Sequence, residues 1–261
     1  MTMHTGAIIE QNPPVADVVI IVIIFLTPIL IIIIAAIAGF INRRRNRANI
    51  DKQTDNRMNA LSDWAKSKGL SFRSDNDPNM ESRFWFFDRL KIGPSHYGYN
   101  IMEGVISNRT VCAFDYHCEW ATVDKSGNRI VGDQSYLSAV IVETSAYFRP
   151  LFIRTEKFRD KIAESAGVED IDFESSEFNS QFYVRASDRR WAYDAVNQTN
   201  MELLLNHCRF NIEFNGKYVI AYRDELFELG HFEEALQLLT GIIDNLPKTL
   251  FGKEKGEKLW S

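Results

Sequence analysis

Hydrophobic positions along the chain fall into two regimes. From Val18 to Ile41 the sequence reads VVIIVIIFLTPILIIIIAAIAGFI, 24 residues without a charge. At about 1.5 Å per residue, a helix of that length reaches about 36 Å, enough to cross a hydrocarbon core of roughly 30 Å with some tilt. Beyond Arg43, apolar and charged positions mix at the short periods of a folded domain. The pattern predicts an α+β protein: one N-terminal transmembrane helix, then a soluble domain with an antiparallel β-sheet and helices packed on it. The expected divisions are a short N-terminus at 1–17, the transmembrane helix at 18–41, a basic juxtamembrane linker helix at 42–69, the α+β domain at 70–247 and a charged tail at 248–261.

Within the second regime the periods predict individual elements. Met58, Leu61, Trp64 and Ala65 recur at helical spacing, and Gly69 supplies the stop. Strands are expected at Leu70 to Arg73, Arg83 to Phe87, Tyr97 to Ser107, Thr110 to Thr122, Gln134 to Thr144, Leu151 to Arg154 after Pro150, and Gln181 to Arg185. Asp124 to Asn128 is turn chemistry. Thr155 to Ser165 reads as a short amphipathic helix, and the acidic stretch Glu169 to Glu177 as a loop anchored by Ile171 and Phe173. Thr199 with Glu202 matches a capping box, which predicts a helix over Asn200 to Cys208. Asn215-Gly216 is the preferred two-residue hairpin turn, because both positions take positive φ; it predicts Ile212 facing Val219 and Phe210 facing Ala221. Phe232, Ala235, Leu236, Leu239, Ile242, Ile243 and Leu246 mark one face of a final helix that Pro247 ends.

Charge orients the apolar segment. Arg43, Arg44, Arg45 and Arg47 follow it directly, and no Lys or Arg precedes it. The positive-inside rule then puts the N-terminus outside and the domain in the cytoplasm, as in a bacterial inner membrane. Ala36-Ile37-Ala38 before Gly39 resembles a signal-peptide cleavage site. The apolar run is too long for a signal peptide, however, and its positive cluster stands on the wrong side. Pro28 is tolerated in a span. Ala35 and Gly39 form a small-xxx-small pair through which two spans could pack as a homodimer.

Of the net charge of −5, residues 1–50 contribute +2, which leaves −7 on the rest. An acidic domain repels phosphate backbones, so nucleic acid is excluded as the main partner. Cys112, Cys118 and Cys208 are an odd, sparse set that makes no disulfide framework and fits a reducing compartment.

The densest chemistry is Cys112 to Trp120. Strand alternation puts Cys112, Phe114, Tyr116, Cys118 and Trp120 on a core face and Asp115, His117 and Glu119 on the other, expected to be solvated. Neighbours in that row stand about 7 Å apart at Cα, within reach of a carboxylate–imidazole pair, so Asp115, His117 and Glu119 are the candidate acid–base or metal half-site. Cys112 and Cys118 lie about 20 Å apart along a strand, too far to share zinc. No glycine-rich phosphate loop, G-x-S-x-G or H-E-x-x-H occurs, so no cofactor is expected. Phe84-Trp85-Phe86-Phe87 reads as a buried strand rather than a membrane-surface contact.

Two resemblances follow from particular residues. Leu229-Gly-His-Phe-Glu-Glu-Ala-Leu236 with Pro247 resembles the second helix of a tetratricopeptide unit, although no second unit appears. The basic stop after the span, Asn100-x-x-x-Gly104, Phe114-Asp115-Tyr116, Pro150-Leu-Phe and Asp170-Ile-Asp-Phe173 resemble uncharacterised bacterial single-span membrane proteins with a cytoplasmic domain. That resemblance covers residues 43 to about 223 and implies a bacterial inner membrane but no activity. The expected function is a membrane-tethered interaction or regulatory module, with the lipid bilayer and a protein as partners. The alternative is a membrane-anchored metal-dependent or acid–base hydrolase using Asp115, His117 and Glu119.

Overall fold

The computed structural model describes residues 54–91, 95–123, 129–155, 169–207 and 210–251, together with Gly39, Phe40, Asn42 and Arg44. The expected span at 18–41 lies outside the described residues except for Gly39 and Phe40. Also outside them are Arg43, Arg45, Arg47, Cys208, the turn at 124–128, the helix expected after Thr155 and the tail beyond Phe251. Among the described residues no helix is long and apolar enough to cross a membrane. The chain divides into two compact units, Met1–Arg57 and Met58–Ser261. In the first, Gly39, Phe40, Asn42, Arg44 and residues 54–57 are helical.

The second unit holds an α+β fold around one antiparallel sheet of seven strands. These are β1 (Ser71–Arg73), β2 (Ser95–Ile106), β3 (Arg109–Val123), β4 (Arg129–Thr155), β5 (Glu169–Ile171), β6 (Phe182–Ala186) and β7 (Asn211–Arg223). The helices are α1 (54–67, of which 58–67 belong to this unit), α2 (Met80–Arg83), α3 (Ser176–Gln181), α4 (Arg189–Ala195), α5 (Gln198–Asn206) and α6 (Leu229–Asp244). The turn between β2 and β3 is Ser107-Asn108, both at positive φ (50° and 62°), which is the geometry a two-residue hairpin needs.

β4 organises the rest. Its first part pairs with β3 and its last residues pair with β6, while β7 runs along its other edge. The two separate strands expected at Gln134 to Thr144 and Leu151 to Arg154 are therefore one strand of 27 residues. A straight strand of that length would span about 90 Å, so it has to bend. The register against β7 shifts between Glu143 and Phe148 and again between Phe148 and Leu151. Pro150, which has no N–H to give, sits at the second shift, where a ladder bond is already missing.

The expected Asn215-Gly216 hairpin does not form. β7 passes straight through both residues, and its two halves pair with β4 rather than with each other. The type I′ turn that Asn-Gly favours needs positive φ twice, and of this pair only Gly216 has it, at 59°. The pair supplies a bend instead. The Tyr222 hydroxyl donates to Glu213 at 3.0 Å, although the two lie nine residues apart on one strand. A straight strand would hold them about 30 Å apart. The bulges also reverse the alternation. Val140, Val142, Ala146 and Phe148 enter the main core at even positions of β4, and Leu151 and Ile153 enter it at odd ones. Ile212 and Phe214 precede the bend of β7 and Val219 and Ala221 follow it, all in that same core. One inserted residue flips a strand's faces, so a bend that kept strict alternation would have turned half of each strand inside out.

The main core lies between one face of the sheet and the helices. Phe232, Ala235, Leu236, Leu239, Ile242, Ile243 and Leu246 are all buried there, as their spacing predicts, at roughly 1.5–3 kcal/mol for each large side chain. Leu61, Trp64 and Ala65 of α1 share this core. Trp64 Nε1 donates to Glu233 at 3.0 Å, and the Lys68 ammonium meets the same carboxylate at 2.8 Å. The helix expected to be a linker is thus built into the domain at its C-terminal half. The strand β7 precedes α6, so α6 has no partner helix of the tetratricopeptide kind.

A second core fills the opposite face, roofed by α2 and the turn after it. The run Phe84 to Phe87, expected as a strand, is that turn. The Phe87 N–H donates to Phe84 O at 2.9 Å, which lets both rings point into the core and leaves Trp85 64 % exposed. An extended strand would have sent Phe84 and Phe87 to opposite faces. Met80 packs so closely on β2 that a Cβ at Gly98 would meet its Cγ at 2.5 Å. The capping residue of α5 is Asn197, whose side chain accepts from the Asn200 N–H, and not Thr199.

Two outcomes test this arrangement. Gly216→Ala places a Cβ 3.9 Å from the Tyr147 ring, an ordinary contact, so its cost is the backbone's alone. Denaturant melts of the full-length protein in detergent are expected to show a loss of about 1–2 kcal/mol. Burial pushes the Glu233 carboxyl up, but the bonds from Lys68 and Trp64 together outweigh it and hold its pKa below the ordinary 4.5. Its contribution is therefore complete above the unfolded value and is lost as pH falls through the folded one. Glu233→Gln is expected to destabilise by about 1 kcal/mol at neutral pH. The gap from wild type should close below about 4.5, read from melts across that range.

Candidate functional site

β3 delivers Asp115, His117 and Glu119 to one face, but that face is not solvated. Asp115 is fully buried, His117 is 5 % exposed and Glu119 is half-buried. Their cross-strand neighbours explain the difference. Tyr99, Tyr97 and Ser95 of β2 stand on one side, and Ser138, Tyr136 and Gln134 of β4 on the other.

Asp115 accepts from Asn100 Nδ2 at 2.8 Å and from the Ser138 hydroxyl. Asn100 reaches it from the bulge in β2, where its own φ is 49°. A residue inserted there re-aims the side chain across the sheet, and asparagine tolerates the left-handed backbone better than most residues. Ser138 Oγ in turn accepts from the Phe227 N–H at 2.8 Å, and the Ser138 N–H donates to Glu225 O at 3.1 Å. The carboxylate thus ties the bulge of β2, the middle of β4 and the approach to α6 into one network.

His117 lies between Tyr97 and Tyr136, with ring centroids at 5.0 and 4.8 Å. Its Nδ1 is buried and has no hydrogen-bond partner. Tyr136 OH donates to Gln134, and the Gln134 amide donates to Glu119 at 3.4 Å. The row is a cross-strand ladder with a buried carboxylate at one end. Such aromatic pairs stabilise a sheet, and the two oxygens of Asp115 already hold donors. Among the described residues no three His, Cys, Asp or Glu side chains stand close enough to hold a metal ion. Cys112 and Cys118 are free and buried on the other face, and burial raises both thiols, Cys112 the more strongly. Thiols so raised are poor nucleophiles.

A further charged cluster was not foreseen from the sequence. Arg154 of β4 and Glu213 of β7 form a buried ion pair that the Tyr222 hydroxyl completes. The Arg154 guanidinium lies over the rings of Phe152 and Tyr222, at 5.5 and 5.1 Å. Burial pulls the Arg154 pKa down, yet the Glu213 charge leaves it above its ordinary value, and burial pushes the Tyr222 hydroxyl well up. Alternation alone would have placed Arg154 and Glu213 on a solvated face, and no spacing in the sequence links residues 59 apart.

Two of the clefts on the surface of the described residues are open. One, of about 390 Å³, is polar and surrounds the β2–β3 turn and Glu143. The other, of about 460 Å³, lies between the β5–α3 loop and the junction of α4 with α5, lined by Asp172, Phe173, Glu174, Tyr193, Val196 and Met201 among others.

No protein-family model matches the chain, and no curated protein matches it. Its fold is similar to a solved one. The crystal structure of the mycobacterial trehalose monomycolate transport factor A, TtfA, superposes with a TM-score of 0.54 at 12 % sequence identity. The match covers 73 % of this chain and 96 % of the chain in that crystal structure. At that identity the likeness is one of fold alone, and no residue role passes from TtfA to Asp115, His117 or the clefts.

Ser138→Ala is the sharpest test of the Asp115 network. It removes one donor from a buried carboxylate and the acceptor of the Phe227 N–H. An expected loss of about 2–3 kcal/mol would appear in denaturant melts, and native-state hydrogen exchange should quicken at Phe227 before the rest of the sheet.

Proposed function

We propose that this chain is a membrane-tethered interaction module. Residues 18–41 span a bacterial inner membrane with the N-terminus outside, and the sheet domain works on the cytoplasmic side. The observation that carries the reading is the docking of residues 58–67 in the main core. The chain leaving the basic cluster at Arg43–Arg47 enters the domain through a helix that Trp64, Lys68 and Glu233 fix in place. A helix that served only as a spacer would have no need of a buried apolar face. Basic residues beside the span also attract the anionic inner leaflet, at about 1 kcal/mol each. The name of the similar protein, a transport factor, suits a role exercised within a larger membrane process.

The competing hydrolase reading requires a substrate to reach Asp115, His117 and Glu119. The burial of Asp115 and the tyrosines on either side of His117 weigh against it.

The test is affinity purification of the full-length protein from crosslinked cells in mild detergent, with mass spectrometry and metal analysis on one eluate. A stoichiometric protein partner, recovered equally with His117→Ala, is expected. A stoichiometric metal with no partner overturns the proposal in favour of the hydrolase.

A further inference from the structure

The cleft beside β5 combines a partly apolar lining, an acidic rim and fixed walls. Part of its lining is apolar: Met201 is half-buried, Tyr193 stays 43 % exposed, and both lie over Phe173 and Val196 of the main core. Its rim is acidic, with Asp172 and Glu174 both exposed and no Lys or Arg in the lining. Arg189 and Arg190 begin α4 one turn before Tyr193 but lie outside it.

Its walls are also fixed. The Asn179 side chain accepts from the Phe173 N–H at 3.1 Å and donates to Phe173 O at 2.6 Å, clamping the β5–α3 loop. Tyr193 OH donates to Asp172 O at 3.2 Å across the mouth. Asn197 Nδ2 donates to Asn245 O at 3.1 Å, which ties the α4–α5 junction to the end of α6. A preformed cleft of a few hundred Å³ can seat a side chain of a partner. Walls held in this way reduce the ordering cost of binding.

We propose that this cleft receives a basic segment of the partner protein, in which a Lys or Arg stands beside one aromatic or aliphatic side chain. The inference rests on the interaction-module reading and names its site. The apolar side chain seats on Met201, whose thioether adapts to irregular shapes, beside the edge of Phe173. The cation meets Asp172 and Glu174 and lies over the Tyr193 ring, which presents an edge-to-face contact to Phe173 at 5.2 Å and has open surface besides. Charge complementarity selects this occupant: an acidic segment would be repelled, and a purely apolar one would leave both carboxylates desolvated without a partner.

The experiment uses the full-length protein in cells, with a photo-crosslinking amino acid at Gln198 on the rim and, for comparison, at Val105, which is 64 % exposed on β2. The expected result is a Gln198 adduct mapping to a partner segment with Lys or Arg within two residues of an apolar anchor. It should fall about tenfold in Asp172→Lys/Glu174→Lys and, for the wild type in isolated membranes, at high salt. The salt series needs no variant, so a misfolded double mutant cannot mask the answer. An adduct no stronger than at Val105, one mapping only within the same polypeptide, or one indifferent to both charge and salt overturns the site. If a partner is recovered but crosslinks elsewhere, the interaction reading stands and this site falls; if none is recovered, both fall.

Discussion

A strand as long as β4 forces a decision on the whole domain. Its backbone groups need partners on both edges, yet no straight neighbour within a compact unit could accompany it. The solution is a paired bend. β4 breaks register around Glu143 to Leu151, and β7 turns at Asn215-Gly216 directly opposite. Because the inward positions change parity in both strands there, the apolar face stays on the helix side through the corner. Everything else depends on that corner, since it brings β6 alongside the far end of β4, and β5 with it.

The corner also explains where polar groups are buried. It folds the two ends of β7 toward each other, so that Tyr222 and Glu213 meet around Arg154. Burying such a pair costs solvation that its attraction barely repays, and the ring faces of Phe152 and Tyr222 help to offset it. Asp115 fixes a different junction. Through Ser138 it holds the segment that leads into α6, and through Asn100 it holds the bulge of β2. Both clusters use a charge where a hydrophobic residue would have given more burial but no direction. Their value is in register: a one-residue slip of β2, β4 or β7 would leave a charge buried without its partner.

What could be read from the sequence depended on how local its cause was. The face of α6 was legible because helical period and burial report the same fact, and the strands of β2 and β3 because alternation does. Asn215-Gly216 misled because the dipeptide specifies a reversal only when both residues take positive φ, and the pairing of each flank with β4 decided otherwise. The real two-residue turn, Ser107-Asn108, carries a weaker signal. Phe84 to Phe87 has the composition of a strand, but a tight turn is what directs Phe84 and Phe87 into one core. The row at Asp115 was correctly placed on one face and wrongly taken as solvated, because what covers it comes from Tyr97, Tyr136 and the segment before α6. Those contacts lie at sequence distances that no periodicity records.

The same distinction bears on function. A catalytic row needs polar groups with unused valence beside an open volume. On β3 the volume is filled and the valence of Asp115 is taken by the fold. One unfilled volume lies between the β5–α3 loop and the α4–α5 junction, where the walls are held by bonds from the Asn179, Tyr193 and Asn197 side chains to backbone groups. Asn197 also caps α5 and ties it to the end of α6, so the same bonds serve the fold. A cleft whose walls are fixed in this way keeps its shape at low ordering cost to anything that enters it.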